Sequence, residues 1–216
     1  FQPYRILALT FTNKAANEMK ERIASIVGRK VASQLWMGTF HSIFSRILRQ
    51  HADLIGFTPQ FTIYDSSDSK SLVKNIIKTM NLDDKIYKAG NILAKISMLK
   101  NCLISPVTYE SDYESQRNDY FKKIPEFYKI YKQYIDRCKQ SNVMDFDALL
   151  FNTNLLFTSL PDILQHYQDL FSFILIDEYQ DTNYSQHLII KALAAKQQKV
   201  CAVGDDAQSI YSFRGA

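Results

Sequence analysis

Paired cysteines, clustered histidines and long apolar runs are all missing from this sequence of 216 residues. Cys102, Cys138 and Cys201 lie far apart without a CxxC pair, so neither a disulfide framework nor a zinc site is indicated. No apolar run approaches the roughly 20 residues of a membrane span, and no cleavable leader pattern opens the chain. We therefore expect a chain that folds in water, with the cytoplasm as its setting.

What the chain does contain is an ordinary globular composition, with 46% hydrophobic and 22% charged residues. The charge is uneven along the sequence. Residues 66–144 hold 14 Lys/Arg and 9 Asp/Glu, an excess of +5, whereas the remainder holds 12 and 13. A basic middle segment suggests a polyanion partner, although solvated helix faces give the same count.

Both ends of the sequence suggest a longer parent polypeptide. The first residue is Phe1 rather than methionine, and the last residues, Arg214, Gly215 and Ala216, follow a strongly patterned segment without a closing element. We expect a fragment.

Three short apolar runs, residues 6–9, 173–176 and 200–203, predict buried parallel strands. They lead to Thr10, Asp177 and Gly204 respectively. In an open α/β sheet the ligand crevice lies beyond the carboxyl ends of the strands. The sequence therefore predicts that these three residues share one edge of a sheet.

Helical patterns fill much of the remaining sequence. One helix is predicted to start at Thr12 or Asn13 and to end at Gly28, and a second follows Thr39. From residue 66 to residue 144 the strand patterns are absent and helical periodicity continues, which predicts an all-helical insert. The apolar face of the first helix is predicted to consist of Met19, Ile23, Ile26 and Val27.

The segment at residues 174–183 is an apolar strand followed by the adjacent carboxylates of Asp177 and Glu178. In a Walker B arrangement the first carboxylate holds Mg²⁺, usually through water, and the second orients and deprotonates the attacking water. An acidic strand-to-loop turn is the alternative interpretation.

The segment at residues 203–216 places an amide, Gln208, just past a strand end, where it can sense a γ-phosphate without competing for its charge. Tyr211 and Phe213 follow, and their rings can stack on unpaired bases. The alternative is that both are core aromatics.

Two further segments, residues 9–19 and 38–42, end at helix starts rich in hydroxyls and backbone N–H donors, which suits nucleic-acid phosphates. Ordinary helix caps explain either one equally well. His41 taken alone is a packed or capping histidine as readily as a ligand.

Together these segments resemble the UvrD-like superfamily 1 DNA helicases. LTFTNKAANEM is similar to their motif Ia, GTFHS to motif Ib, DEYQDTN to motif II and GDDAQSIYSFRGA to motif III, in the family's order. The segment DFDALL at residues 145–150 resembles the one that returns the chain from the helical insert to the sheet.

The resemblance implies roles for particular residues. It makes Asp177 the Mg²⁺ residue, Glu178 the catalytic base and Gln208 the γ-phosphate contact, with ATP and Mg²⁺ as cofactors. Base stacking is implied for Phe11, Tyr211 and Phe213, and contacts near the DNA or nucleotide for Thr39, His41 and Arg214. At Phe213 the family often has tryptophan, so a smaller stacking face is expected.

The resemblance also implies an architecture and a parent activity. We expect an α/β RecA-like half-domain at residues 1–65 and 145–216, interrupted by a helical subdomain at 66–144. The parent is expected to move 3′-to-5′ on single-stranded DNA and to unwind duplex at junctions. No GxxxxGK[ST] occurs in the sequence, and the second RecA-like domain is missing, so the fragment itself should not hydrolyse ATP.

The sequence leaves one rival function open and argues against two others. The nearest is a helicase-nuclease subunit of the same superfamily. A non-catalytic DNA-binding module with a motor fold would have no need of Asp177, Glu178 and Gln208, and a metabolic P-loop kinase would have no use for the aromatic residues beside its phosphate site.

Overall fold

The computed structural model describes residues 2–205 and residue 207. Within this part of the chain, six strands and eleven α-helices follow one another in an α/β arrangement. The strands are β1 (Ile6–Thr10), β2 (Trp36–Thr39), β3 (Thr62–Tyr64), β4 (Val143–Asp145), β5 (Phe173–Ile176) and β6 (Val200–Ala202). The helices are α1 (Asn13–Val27), α2 (Arg29–Ala32), α3 (Phe40–Gln50), α4 (Ser66–Thr79), α5 (Ala89–Asn101), α6 (Pro106–Glu110), α7 (Tyr113–Phe121), α8 (Phe127–Gln140), α9 (Phe146–Ser159), α10 (Pro161–Leu170) and α11 (Tyr184–Ala194).

The chain divides into two compact units, one of residues 1–50 and 152–216 and one of residues 51–151. The expected insert began at residue 66 and ended at residue 144. The helical unit is larger because β3 pairs in parallel with β4, from Thr62 opposite Val143 to Tyr64 opposite Asp145. This two-stranded sheet draws residues flanking the expected insert into the helical unit. It also means that the insert is not entirely helical, since β4 starts at residue 143.

The first unit is built on a parallel sheet with the order β2-β1-β5-β6. The three strands expected from apolar runs are confirmed as β1, β5 and β6, with β6 ending at Ala202. Strand β2 was not predicted, and it adds all four of its buried residues to the sheet. The parallel α/β fold class is confirmed.

Helix α1 begins where the sequence predicted, because Thr12 Oγ1 accepts a hydrogen bond from the Ala15 amide at 3.1 Å. Gly28 ends the helix with φ at 85°, a conformation that glycine adopts without strain. The predicted apolar face is only partly correct. Ile26 is 81% exposed, and the fully packed position of the helix is Ala16.

An aromatic cluster packs beside the sheet of the first unit. The ring centroid of Trp36 lies 5.4 Å from that of Phe171 and 6.4 Å from that of Tyr167, both edge-on. The Arg46 guanidinium lies 3.8 Å from the Trp36 ring centroid. Tyr167 donates a hydrogen bond to Gln50 Oε1 at 2.8 Å, and burial raises the pKa of its hydroxyl to about 12. These contacts fix β2 and α10 within the unit.

The helical unit has its own hydrophobic core, formed mainly by α4, α5 and α8. Asp65 caps α4 in a capping box, accepting from the Ser67 and Asp68 amides. Of the twelve apolar residues whose spacing predicted these helices, eight are buried in this core and four, Leu72, Met80, Leu93 and Ile135, are partly buried and packed against it. The twelve residues are Leu72, Val73, Ile76, Ile77 and Met80, then Leu93, Ile96 and Leu99, then Ile130, Tyr131, Tyr134 and Ile135.

A buried ion pair joins α5 to β4 in the helical unit. Lys100 Nζ lies 2.5 Å from Asp145 Oδ2, and the Tyr134 hydroxyl donates to the same oxygen at 2.6 Å. Asp145 Oδ1 accepts from the Ala148 amide at 2.7 Å and so caps α9. The Asp145 carboxylate is thus satisfied by three donors in a buried position.

No helix among the described residues is long and apolar enough to cross a bilayer.

Candidate functional site

The four parallel strands of the first unit end at one edge of their sheet. Thr10 is in register with Thr39, and Leu9 is in register with Ile176. On the other side of β5, Ile176 is in register with Ala202. The residues that follow the strands, including Asp177 and Gly204, therefore meet at this edge, as the sequence predicted.

Asp177 extends the strand pairing one residue past β5, since its amide donates to Leu9 O at 2.9 Å. The residue is half-buried, and its carboxylate makes no hydrogen bond or ion pair with a described residue. A hard cation such as Mg²⁺ prefers oxygen ligands of this kind, often through water. The carboxylate therefore fits a magnesium-binding role.

Glu178 has a left-handed backbone, with φ at 56° and ψ at 45°. Residues other than glycine rarely adopt this conformation, and such local strain concentrates at functional sites. The Glu178 side chain is exposed, and its Oε2 accepts a hydrogen bond from Gln180 Nε2 at 2.5 Å. The two adjacent carboxylates after β5 therefore lie in different environments: Asp177 is half-buried and Glu178 is exposed.

Gln180 links the acidic turn to the loop after β6. While its Nε2 donates to Glu178, its Oε1 accepts from the Asp205 amide at 3.1 Å. A backbone hydrogen bond from the Tyr179 amide to Val203 O, at 2.9 Å, joins the same two segments. Sequence reasoning did not identify this role. Two features of the sequence could have indicated it. Gln180 lies between the acidic residues Glu178 and Asp181, and Gly204 follows the neighbouring strand β6.

Gly204 lies against this linkage. A Cβ atom at residue 204 would come within 2.6 Å of Gln180 Oε1 and 3.2 Å of the Gln180 backbone nitrogen. A larger residue at this position would therefore have to displace the Gln180 amide and shift the neighbouring backbone slightly.

We expect Gly204→Ala to displace the Gln180 amide from its hydrogen bonds and to lower the free energy of unfolding by about 0.5–1.5 kcal/mol, the usual net value of a hydrogen bond. Urea unfolding followed by Trp36 fluorescence measures this, since Trp36 is the one tryptophan of the sequence and lies in the same unit. The control is Gly90→Ala, where the nearest atom to an added Cβ is Lys70 Cε at 3.9 Å; because Gly90 lies in the other unit, its unfolding is followed by circular dichroism. It should cost nothing, and equal losses in both variants would contradict the steric argument.

Thr10 and Thr39 are neighbours at the ends of β1 and β2. The Thr10 hydroxyl is fully buried and has no hydrogen-bond partner among the described residues, which is uncommon for a buried polar group. Thr39 is also buried, and its Oγ1 accepts from the Ser42 amide at 3.3 Å. Ser42 Oγ in turn donates to Thr39 O at 2.9 Å. Thr39 therefore acts as a helix cap for α3, the alternative that the sequence left open.

Phe11 directly follows β1, and His41 is the second residue of α3. Both side chains are partly buried. The strand register brings the ends of β1 and β2 side by side, so both residues belong to the same edge as Asp177. The four other residues predicted for the site lie outside the described part of the chain. They are Gln208, Tyr211, Phe213 and Arg214.

Among residues 2–205 and residue 207, no three histidine, cysteine, aspartate or glutamate side chains are grouped as a metal cluster.

Comparison with known proteins identifies the family. The model of the UvrD/REP helicase N-terminal domain matches residues 1–216, and the chain belongs to this family. Among its relatives are the ATP-dependent DNA helicases PcrA of Staphylococcus aureus and Staphylococcus epidermidis, each 44% identical over 214 residues. The match covers 99% of this chain and 28% of each relative, so the chain spans less than a third of their length. The family predicted from the four motifs is confirmed.

Proposed function

We propose that the chain forms part of the motor of an ATP-dependent DNA helicase, which translocates 3′-to-5′ on single-stranded DNA and unwinds duplex at junctions. The proposal rests on the edge of the sheet where the strands end. Asp177 and Glu178 lie at this edge together with Phe11 and Thr39. The names of the two PcrA relatives support it.

In this proposal Asp177 and Glu178 have separate tasks at the phosphates of ATP. Asp177 holds Mg²⁺ through its half-buried carboxylate, and the ion supplies positive charge to the phosphate oxygens. Glu178, which is exposed, accepts a proton from the attacking water. Gln180 orients Glu178 by its hydrogen bond and connects it to the loop after β6. For Gln208 and Arg214, which lie outside the described residues, the proposal keeps the roles implied by the family, a γ-phosphate contact and a contact near the DNA or nucleotide.

The DNA interface of the proposal uses the same strand ends. Unpaired bases stack on Phe11, Tyr211 and Phe213, which is worth roughly 1–3 kcal/mol per base. Thr39 and His41 lie at the start of α3, where phosphate oxygens meet backbone N–H donors. Close spacing of nucleotide and DNA contacts on one sheet couples hydrolysis to strand movement. A second RecA-like domain of the same polypeptide is the partner that completes both sites.

The proposal predicts DNA-stimulated ATP hydrolysis by the full-length polypeptide and none by the 216-residue chain, because the chain contains no GxxxxGK[ST] to cradle the phosphates. The measurement is phosphate release with and without single-stranded DNA, followed by unwinding of duplexes with a 3′ or a 5′ tail. The chain carrying Glu178→Gln gives the background rate. Hydrolysis by the unaltered chain above this background would contradict the prediction, and preference for the 5′-tailed duplex would reject the polarity.

A further inference from the structure

Helix α7 of the helical unit exposes large aromatic rings. Of the nine residues of this helix, Tyr113 is 83% exposed, Tyr120 is 71% exposed and Phe121 is 69% exposed. Folded proteins usually bury most of the area of such rings, and grouped exposed aromatics mark interaction sites. The rings of Tyr120 and Phe121 contact each other edge-on, with centroids 6.4 Å apart.

The packing of α7 does not depend on these rings. Asp119 is the buried residue of the helix, and its Oδ2 accepts from the Tyr109 hydroxyl at 2.6 Å. Its Oδ1 forms an ion pair with Lys95, whose Nζ lies 4.1 Å from the ring centroid of Phe127. Burial lowers the pKa of Lys95, against the opposing effect of its hydrogen bond to Asp119. The helix is therefore held by a polar anchor on one side, and the aromatic rings are left to solvent on another.

Cations surround the two adjacent rings at the end of α7. The Arg117 guanidinium lies 5.6 Å from the Phe121 ring centroid, one turn earlier on the helix. Lys122 and Lys123 follow directly, and both are exposed. None of these three cations forms an ion pair with a described residue. We call Arg117, Tyr120, Phe121, Lys122 and Lys123 the α7 platform.

Apart from Asp119, which is buried and paired with Lys95, the carboxylates of α7 and of its cap lie at the other end of the helix. Asp112 caps α7 by accepting from the Ser115 amide at 3.1 Å, and Glu114 lies in the first turn. At 1.5 Å per residue, Glu114 is about 10 Å along the helix axis from Phe121. Tyr113 stands beside these acids and is not part of the platform. The charge at the platform is therefore positive.

We propose that the α7 platform binds single-stranded nucleic acid, stacking unpaired bases on Tyr120 and Phe121 while the three cations contact phosphates. Two adjacent exposed rings can stack on the unpaired bases of a single nucleic-acid strand, whatever their sequence. The cations beside the rings can neutralise the phosphates of the same strand. A duplex offers no free base faces to such rings. The inference rests on the proposed DNA motor and adds to it a second contact, on the helical unit.

Photo-crosslinking locates the contact directly. The 216-residue chain is mixed with an oligothymidylate that carries 5-iododeoxyuridine, irradiated, digested and mapped by mass spectrometry. We expect a crosslinked peptide that contains Tyr120 or Phe121. A crosslink confined to Phe11 or to residues 208–216 would overturn the platform and leave the proposed function standing. No crosslink at any position would also overturn the platform, whose rings and cations all lie within the chain, while the proposed function is tested separately on the full-length polypeptide.

Affinity measurements separate stacking from charge at the platform. Tyr120→Leu and Phe121→Leu should each raise the Kd for oligothymidylate about fivefold or more at every salt concentration, whereas Tyr120→Phe keeps the ring and should bind normally. Lys122→Gln should instead reduce the salt slope by about 0.7. The matched control is Tyr4→Leu, an exposed tyrosine located before β1 in the other unit.

Because the platform side chains are exposed, these substitutions should leave the far-ultraviolet circular dichroism of the chain unchanged. A folded Tyr120→Leu, Phe121→Leu double variant with unaltered oligonucleotide affinity would overturn the proposal.

Discussion

Glu178→Gln in the full-length polypeptide should abolish ATP turnover while preserving ATP and DNA binding. The substitution removes a base but leaves the Asp177 carboxylate, and an amide at residue 178 still offers an oxygen to Gln180 Nε2, the donor that lies 2.5 Å from Glu178 Oε2. Loss of a positioned general base reduces the rate by about 10²-fold or more. The turnover number is measured by DNA-stimulated phosphate release, and binding by a fluorescent nucleotide and by DNA anisotropy.

Two comparison variants define the result for Glu178. Glu21→Gln changes an exposed carboxylate on α1 and should leave turnover unaltered. Asp177→Asn should weaken Mg²⁺-dependent ATP binding itself, because the half-buried carboxylate is the proposed metal ligand. If the Glu178→Gln enzyme turns over at a near-normal rate, Glu178 is not the base, and its left-handed backbone needs another explanation.

The strands that carry the site could be predicted because their sequences are distinctive. β1 and β5 are short apolar runs that end in polar residues, as expected for strands covered on both faces. β2 has the sequence Trp-Met-Gly-Thr and is also buried, but a glycine and a methionine in four residues give no strand signal. Its place in the sheet depends on the register with β1, which only the three-dimensional structure provides.

The extent of the helical unit could not be read from local patterns for a related reason. β3 has three residues, and it pairs with β4, which lies about 80 residues further along the chain. A pairing over such a distance leaves no periodic trace in either segment. Helical periodicity, by contrast, arises within each helix, and the predicted core residues of α4, α5 and α8 are correct for that reason.

The sequence could predict which residue types form the candidate site, but not how these residues are arranged in space. Adjacent carboxylates after an apolar strand identified Asp177 and Glu178. The left-handed backbone of Glu178, the bridging amide of Gln180 and the close approach of Gly204 all arise from contacts between segments that are distant in sequence. The roles of these residues in hydrolysis stay predictions until the substitutions are made.

The buried ion pair of the helical unit, Lys100 with Asp145, should make the stability of this unit depend on pH. Burial alone would raise the pKa of the Asp145 carboxyl, but the charge of Lys100 and the hydrogen bonds from Lys100, Tyr134 and the Ala148 amide outweigh it, so the pKa is lowered. A lowered carboxyl pKa stabilises the fold at pH values above the unfolded value of about 3.9, and this contribution is lost as the pH falls through the folded value. The unit should therefore lose stability in acid.

Asp145→Asn should lower the free energy of unfolding of the helical unit by about 3–5 kcal/mol, because it leaves the Lys100 ammonium buried without a counter-charge. It should also remove the part of the acid sensitivity due to this carboxyl. Adding Lys100→Met should recover part of the lost free energy of unfolding, because replacing both charged partners destabilises the fold less than removing one of them. The matched control is Asp147→Asn. The Asp147 carboxylate is part-buried and accepts a hydrogen bond from Asn101 at 3.1 Å, so its replacement should lower the free energy of unfolding far less.

Circular dichroism in urea reports the helices of both units, whereas Trp36 fluorescence reports only the other unit, because the tryptophan lies outside residues 51–151. A dichroism transition without a matching fluorescence change therefore belongs to the helical unit. The Asp145→Asn chain should show an earlier dichroism transition than the unaltered chain at pH 7. The shift between the two should shrink as the pH falls below the unfolded carboxyl value of about 3.9, because the lowered pKa of Asp145 stabilises the fold only above it. Equal stability of the Asp145→Asn and Asp147→Asn chains at pH 7 would show that the Lys100 pair contributes nothing beyond an ordinary hydrogen bond.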